Sequence, residues 1–126
     1  MKTMNASEFA NYIFNKFPQA VKTSKPGKLF YILKAGCYYV VRVWEPNSGM
    51  TKIEINGKSY TKMNAAEKRE AVNFIDNLEF DIVTDHDIMS DTTNTFYYLT
   101  GTYTEGQEIM CGEKVWRRIE KIVHVK

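Results

Sequence analysis

Cys37-Tyr38-Tyr39-Val40-Val41-Arg42-Val43-Trp44 is aromatic, β-branched or otherwise apolar at every position except Arg42. A strand exposed on one face would alternate apolar with polar, so a run apolar on both alternations predicts a strand in the middle of a sheet. Working outward, Lys34-Ala35-Gly36 reads as a tight reversal, and Leu29-Phe30-Tyr31-Ile32-Leu33-Lys34 as the strand before it. On the other side Glu45-Pro46-Asn47-Ser48-Gly49 breaks the run. Met50 to Ile55 and Lys58 to Met63 then flank Asn56-Gly57, a pair that tolerates the positive φ of a type I′ hairpin turn. These four segments predict an antiparallel meander.

Two helices bracket it. Asn5 with Glu8 has the spacing of a capping box, with Met4 placed to staple against Phe9. Ala6, Phe9, Ala10, Ile13, Phe14 and Phe17 recur as one helical face, with Tyr12 near its edge, and Pro18 marks the end, which predicts an amphipathic helix over 6–17. Ser24-Lys25-Pro26-Gly27 supplies a turn before the first strand. Asn64 with Glu67 repeats the capping spacing, and Ala71, Val72, Phe74, Ile75 and Leu78 give a second apolar face. Beyond it, Phe80 to Val83 reads as a short strand and the polar stretch Thr84 to Asn94 as the longest loop. Thr95 to Thr104, turned by Glu105-Gly106 into Gln107 to Cys111, predicts a late hairpin, and the tail Lys114 to Val125 leans towards a strand. The expectation is a single α+β domain, 1–126: a meander plus a C-terminal hairpin packed by two amphipathic helices.

Composition narrows the function classes. A chain of 126 residues, 44% hydrophobic and 25% charged, is long enough to bury a core without a metal. Seven Gly and three Pro exclude collagen-like and low-complexity chains. A mean hydropathy of -0.40 and no apolar run near ~18 residues exclude a spanning helix. The N-terminal residues lead into a polar-faced helix rather than a signal core, which predicts a cytoplasmic protein. Two cysteines, Cys37 and Cys111, are too few for a secreted disulfide scaffold and lack zinc spacing, so free thiols are expected, with Cys37 buried and inert in its strand.

Charge is unevenly placed. Residues 1–63 hold ten Lys/Arg against three Asp/Glu, residues 64–110 hold two against ten, and residues 111–126 hold five against two. The acidic block supplies a candidate partner-binding face: Glu67, Glu70, Asp76, Glu79, Asp81, Asp85, Asp87 and Asp91. Such a surface imitates nucleic-acid phosphate and fits a partner's basic groove. The same Asp81–Asp91 stretch, with His86, is the one local group of hard-cation ligands and suggests a metal-dependent hydrolase as an alternative. Counted from Asp85, however, an EF-hand's Gly and Glu positions hold Ser90 and Phe96.

Basic residues interleaved with aromatics occur at Lys28, Tyr31 and Lys34, at Tyr39, Arg42 and Trp44, and at Lys58, Tyr60 and Lys62. They suggest a second alternative, a nucleic-acid platform built from Arg42, Lys52, Lys58, Tyr60, Lys62, Arg117 and Arg118, in which cations meet phosphates and rings stack on bases. An RNP signature, zinc-finger spacing and a helix-turn-helix are missing, as are a G-x-S-x-G elbow and a Gly-rich phosphate loop. His86 and His124 have no recognised catalytic spacing, and no cofactor or metal is implied. The reading is therefore a non-enzyme.

In size and character, a compact domain with segregated charge and an Asn/Lys/Ile/Tyr-rich make-up, the sequence is similar to anti-CRISPR proteins among the accessory proteins of phages and mobile elements. That resemblance covers no motif and assigns no residue. It implies a small binding protein that inhibits or modulates a larger protein, such as a Cas nuclease or another nucleic-acid enzyme, through the acidic stretch.

Overall fold

The computed structural model describes residues 3–17, 29–44, 50–113 and 115–125. The turn at 24–27, Lys28, the break at 45–49, Pro18 and Lys114 lie outside the described residues. Within them are two α-helices and eight strands, a mixed α+β fold in which most strand pairs are antiparallel. The chain forms two compact units, Met1–Ile32 with Tyr39–Leu78 and Leu33–Tyr38 with Glu79–Lys126.

In the first unit, helix α1 (Ala6–Lys16) starts where the sequence places it. The Glu8 amide donates to Asn5 Oδ1 at 2.8 Å and the Asn5 amide to Glu8 Oε1 at 3.0 Å, so two otherwise orphaned donors are satisfied. Its buried face is Phe9, Ala10 and Ile13. Strands β1 (Leu29–Ala35), β2 (Tyr38–Trp44), β3 (Lys52–Ile55) and β4 (Lys58–Ser59) lie in the order β4-β3-β2-β1, the expected meander. Val41 and Val43 on β2 oppose Ile55 and Ile53 on β3, and all four are buried. Asn56 and Gly57 take φ of 51° and 82°, the left-handed values a type I′ turn requires.

The strand expected over Lys58 to Met63 stops after two residues and becomes a 3-10 turn over Tyr60–Lys62. The cause is Tyr60, whose ring packs 4.4 Å from Phe9 while its hydroxyl donates to the Met4 carbonyl at 2.7 Å. Continuing the strand would give up that packing. Helix α2 (Ala65–Asp76) then begins with the second capping box, Glu67 N–H to Asn64 Oδ1 at 2.9 Å and Asn64 N–H to Glu67 Oε1 at 3.1 Å. Ala71, Ile75 and Leu78 are buried, whereas Val72 and Phe74 flank that stripe half-exposed.

In the second unit the order is β1-β6-β5-β8-β7, with β5 (Phe80–Asp87), β6 (Thr92–Leu99), β7 (Glu108–Met110) and β8 (Trp116–Val125). The expected long loop over Thr84 to Asn94 is instead a hairpin: β5 and β6 pair continuously from Phe80↔Leu99 to Asp87↔Thr92. Asp87 closes it by accepting the Met89 and Ser90 amides, and Asp91 takes a φ of 54°. The expected late hairpin is also repaired differently, because β6 pairs with β5 and β7 pairs with β8. The tail is the strand it leaned towards. Lys34 on β1 meets Tyr98 on β6 in parallel register. Val83, Tyr98, Ile109 and Ile119 form the core here, with Phe96, Tyr103, Cys111 and Ile122 against it.

Cys37 and Cys111 are joined in a disulfide with Cα atoms 5.8 Å apart, which corrects the expectation of free thiols. Seventy-four residues separate them in sequence, so nothing local signals the pairing. Cys37 is also exposed rather than buried in β2.

Candidate functional site

One flank of α2 and the β3–β4 hairpin line a groove of about 320 Å³. Its floor is Ile55, Met63, Ala71 and Phe74, and Glu67 and Glu70 stand at its rim with Lys58. Local sequence dictates this layout. Asn56-Gly57 reverses the chain so that Lys58 leaves the turn facing α2, and the capping box fixes Glu67 in the helix's first turn. Glu70 follows three residues later, on the same side of the helix.

Glu67 uses both carboxylate oxygens, Oε1 for the Asn64 amide and Oε2 for Lys58 Nζ at 3.1 Å. The Asn64 amide first and the Lys58 ammonium second hold its carboxyl below the usual range. Glu70 is exposed and has no ion pair among the described residues. A carboxylate rim over an apolar floor suits a long cationic side chain, which buries its methylenes and leaves its charged head on the carboxylates. Lys58 supplies only the charged contact: its ammonium meets Glu67 while its side chain stays 71% exposed, so the floor is left free of its methylenes.

The other carboxylates of the expected acidic face divide. Asp76 is exposed near the end of α2, where its backbone carbonyl accepts from Lys16 Nζ, and Glu79 is exposed at the start of the second unit. Asp87 is half-buried and holds the turn after β5, and Asp91, 89% exposed, pairs with His86 Nε2 at 3.0 Å. Asp81 and Asp85 are corrections: both are buried, Asp85 completely, because alternation along β5 turns them to the face that carries Val83. Three of the eight carboxylates thus belong to α2 in the first unit and five to the second unit.

Asp85 faces two cations. Arg117 Nε lies 3.9 Å from its Oδ1, too far for a hydrogen bond, and buried Lys34 sits with Nζ 3.9 Å from the Phe96 ring centre. Burial raises the Asp85 carboxyl, against the pull of Arg117, cross-strand Asn94 and Lys34. Burial lowers the Lys34 ammonium to about 8, with Arg117 adding to the effect and Asp85 opposing it. Tyr98 and Tyr103 beside them are held protonated, mainly by burial.

Asp81, His124 and Thr100 form a second constellation that the sequence did not suggest. His124 Nδ1 lies 2.9 Å from Asp81 Oδ1, and the Thr100 hydroxyl donates to the same oxygen at 3.3 Å. That hydroxyl approaches the imidazole at Nδ1, 3.2 Å away. A hydrolytic triad needs the carboxylate on one ring nitrogen and the nucleophile on the other. With both on Nδ1, the imidazole has no path to take the hydroxyl proton through Nε2, and this group anchors the ends of β5 and β8. For metal, no three His, Cys, Asp or Glu side chains converge among the described residues, and the Asp81–Asp91 stretch is a paired hairpin rather than a ligand loop.

The basic platform is also dispersed. Arg42 bonds Glu54 at 3.3 Å and lies 5.2 Å from the Trp44 ring centre, and Lys58 is taken by Glu67. Tyr60 is a correction, since at 1% exposure its ring cannot stack on a base. Arg117 is another, because it turns inward over Phe96 at 4.9 Å. Lys52 is half-buried, and Lys62 and Arg118 remain exposed.

The groove itself was not foreseen. The sequence marks Glu67 and Glu70 by their charge, whereas Ile55 and Met63 read as strand residues and Phe74 as part of a helical apolar face. No family model, curated protein or solved structure matches the chain.

Proposed function

We propose that this is a small non-catalytic binding protein that docks on a larger protein and modulates it, accepting a lysine or arginine of the partner in the groove beside α2. The observation that supports this reading is the groove's pairing of an apolar floor with Glu67 and Glu70, a rim on which Glu67 already holds one ammonium, that of Lys58. An exposed ion pair contributes only about 0.2–1 kcal/mol. Burial of the incoming methylenes, about 0.8 kcal/mol each, supplies the larger part. The acidic reading thus narrows from eight carboxylates to two with a floor between them.

A nucleic-acid enzyme is the partner class this chemistry fits, because its binding cleft presents lysines and arginines to phosphate. A resemblance in size and character to anti-CRISPR proteins makes a Cas nuclease one such partner to test. Direct nucleic-acid binding has less support, since Arg42, Lys58 and Arg117 face carboxylates within the chain and Tyr60 is buried.

No helix among the described residues is long and apolar enough to cross a membrane. A cytoplasmic place of action follows from the partner class, although the Cys37–Cys111 bridge belongs more naturally to oxidising surroundings. Thiol titration of protein taken from its native cell decides between them: two thiols place it in reducing surroundings, and none in oxidising ones.

The function is tested by using the purified chain as bait in nuclease-treated lysate of its native host. Glu70→Lys and Glu67→Gln, the latter retaining an acceptor for the Asn64 amide, are compared with the parent. Loss of a stoichiometric protein with unchanged thermal melting supports the groove. Undiminished capture by the double variant refutes it, and capture of nucleic acid alone before nuclease treatment favours direct binding.

A further inference from the structure

A second cavity lies on the other flank of α2, about 260 Å³ in volume, between that helix, the 3-10 turn and the N-terminal segment. Its chemistry is the reverse of the acidic groove. Met4, Val72 and Tyr60 give it apolar walls, and Lys68 and Arg69 supply two cations. Thr3 and Asn73 complete the lining, which contains no carboxylate. Helical spacing explains the contrast: residues 67, 70, 71 and 74 line one flank of α2, and residues 68, 69, 72 and 73 line the other.

The walls are fixed in place. Tyr60 is 1% exposed, its ring tilted against Phe9 at 4.4 Å, and its hydroxyl is committed to the Met4 carbonyl. Lys68 Nζ stands 5.3 Å from the Tyr60 ring centre, so a cation is held beside the apolar surface rather than spread into solvent. Glu8 on α1 acts on the Tyr60 phenol, and its Oε1 accepts the Asn5 amide. Glu8 does not line the cavity.

We propose that this cavity binds a small carboxylate with a compact apolar body. The body fits the space between Met4, Tyr60 and Val72, and the carboxylate meets Lys68 and Arg69, with the Asn73 amide as a further donor. The volume lies just below the roughly 300–1,000 Å³ of pockets that enclose drug-sized molecules, so a small ring acid such as benzoate fits within it. Inorganic phosphate lacks the apolar body, and a neutral isostere lacks the charge. The inference is independent of the partner-binding groove, because it uses none of that groove's residues.

The test is an amide NMR titration of the full chain with benzoate, benzamide and inorganic phosphate. Benzoate shifts the amides of Met4, Tyr60 and residues 68–73 saturably, and benzamide and phosphate bind at least about tenfold more weakly, the loss expected for one charge-assisted contact. Lys68→Met and Arg69→Gln are helix-compatible substitutions at half-exposed and exposed positions, and each weakens benzoate by a similar factor while the remaining spectrum is preserved. The proposal is overturned if benzoate gives no saturable shift, if benzamide binds equally well, or if the double variant retains benzoate affinity.

Discussion

Replacing Lys34 with Met isolates the cost of the buried charge in the second unit. Lys34 is 6% exposed and its ammonium is lowered to about 8 from 10.5, chiefly by burial. The folded protein releases this proton near pH 8 and the unfolded chain only near 10.5, so charged Lys34 disfavours the fold below pH 8. The penalty is relieved as pH rises between those values. At about 1.4 kcal/mol per pH unit, it amounts to roughly 3 kcal/mol at neutral pH. That figure already contains the attraction to Asp85, and the ring contact to Phe96 returns about 1 kcal/mol of it. Lys34→Met, which keeps the stem, should therefore stabilise the protein by about 1–2 kcal/mol at pH 7. Urea unfolding from pH 7 to 9.5 should show the parent gaining about 2 kcal/mol, the fraction of the penalty relieved by then, and the variant nearly flat. Above that range Tyr98, Tyr103 and Tyr60, all held protonated in the fold, work the other way, because unfolded phenols ionise near 10. A parent whose stability is level or falling from pH 7 to 9.5, or a variant with the same slope, refutes the reasoning.

Further outcomes follow from other contacts. Replacing both Cys37 and Cys111 with Ser opens a loop of 74 residues and should cost about 4 kcal/mol on the chain-entropy account, read as a lower urea midpoint; a change below about 1 kcal/mol contradicts it. Tyr60→Phe removes the hydrogen bond to the Met4 carbonyl and should cost about 1 kcal/mol in calorimetry while keeping the ring on Phe9; an unchanged melting temperature contradicts that contact. Asn64→Ala breaks one arm of the α2 capping box and should destabilise by about 1 kcal/mol, with earlier amide exchange in the first turn of α2 than at its centre. Uniform exchange along α2 contradicts the assignment.

Local chemistry made much of the fold legible. The two capping boxes, the Asn56-Gly57 turn and the doubly apolar run of β2 each act within a few residues, and each is present. The misreadings share a non-local cause. Thr84 to Asn94 looks like a loop because Asp85 and Asn94 occupy inward strand positions, and their compensating cations, Lys34 and Arg117, come from strands far away in sequence. The disulfide joins cysteines whose meeting depends on how β1, β6, β5, β8 and β7 are ordered. Tyr60 looked like an outward strand aromatic because its partners, Phe9 and Met4, lie in the N-terminal helix and the segment before it. For the candidate site, Glu67 and Glu70 were visible as charge, but the floor they overlook exists only once the hairpin and α2 converge. Burial of Asp81 and Asp85 was hidden by the same alternation that makes β5 a strand.

Carbodiimide cross-linking with residue mapping tests the groove most directly, since it joins a carboxylate to an amine in contact with it. In the isolated protein the product should link Glu67 to Lys58, whose charged atoms are 3.1 Å apart. In the complex with a captured partner, that internal link should give way to one between Glu67 or Glu70 and a lysine of the partner. Retention of the Lys58 link, with partner lysines joined only to carboxylates elsewhere in the chain, contradicts the account.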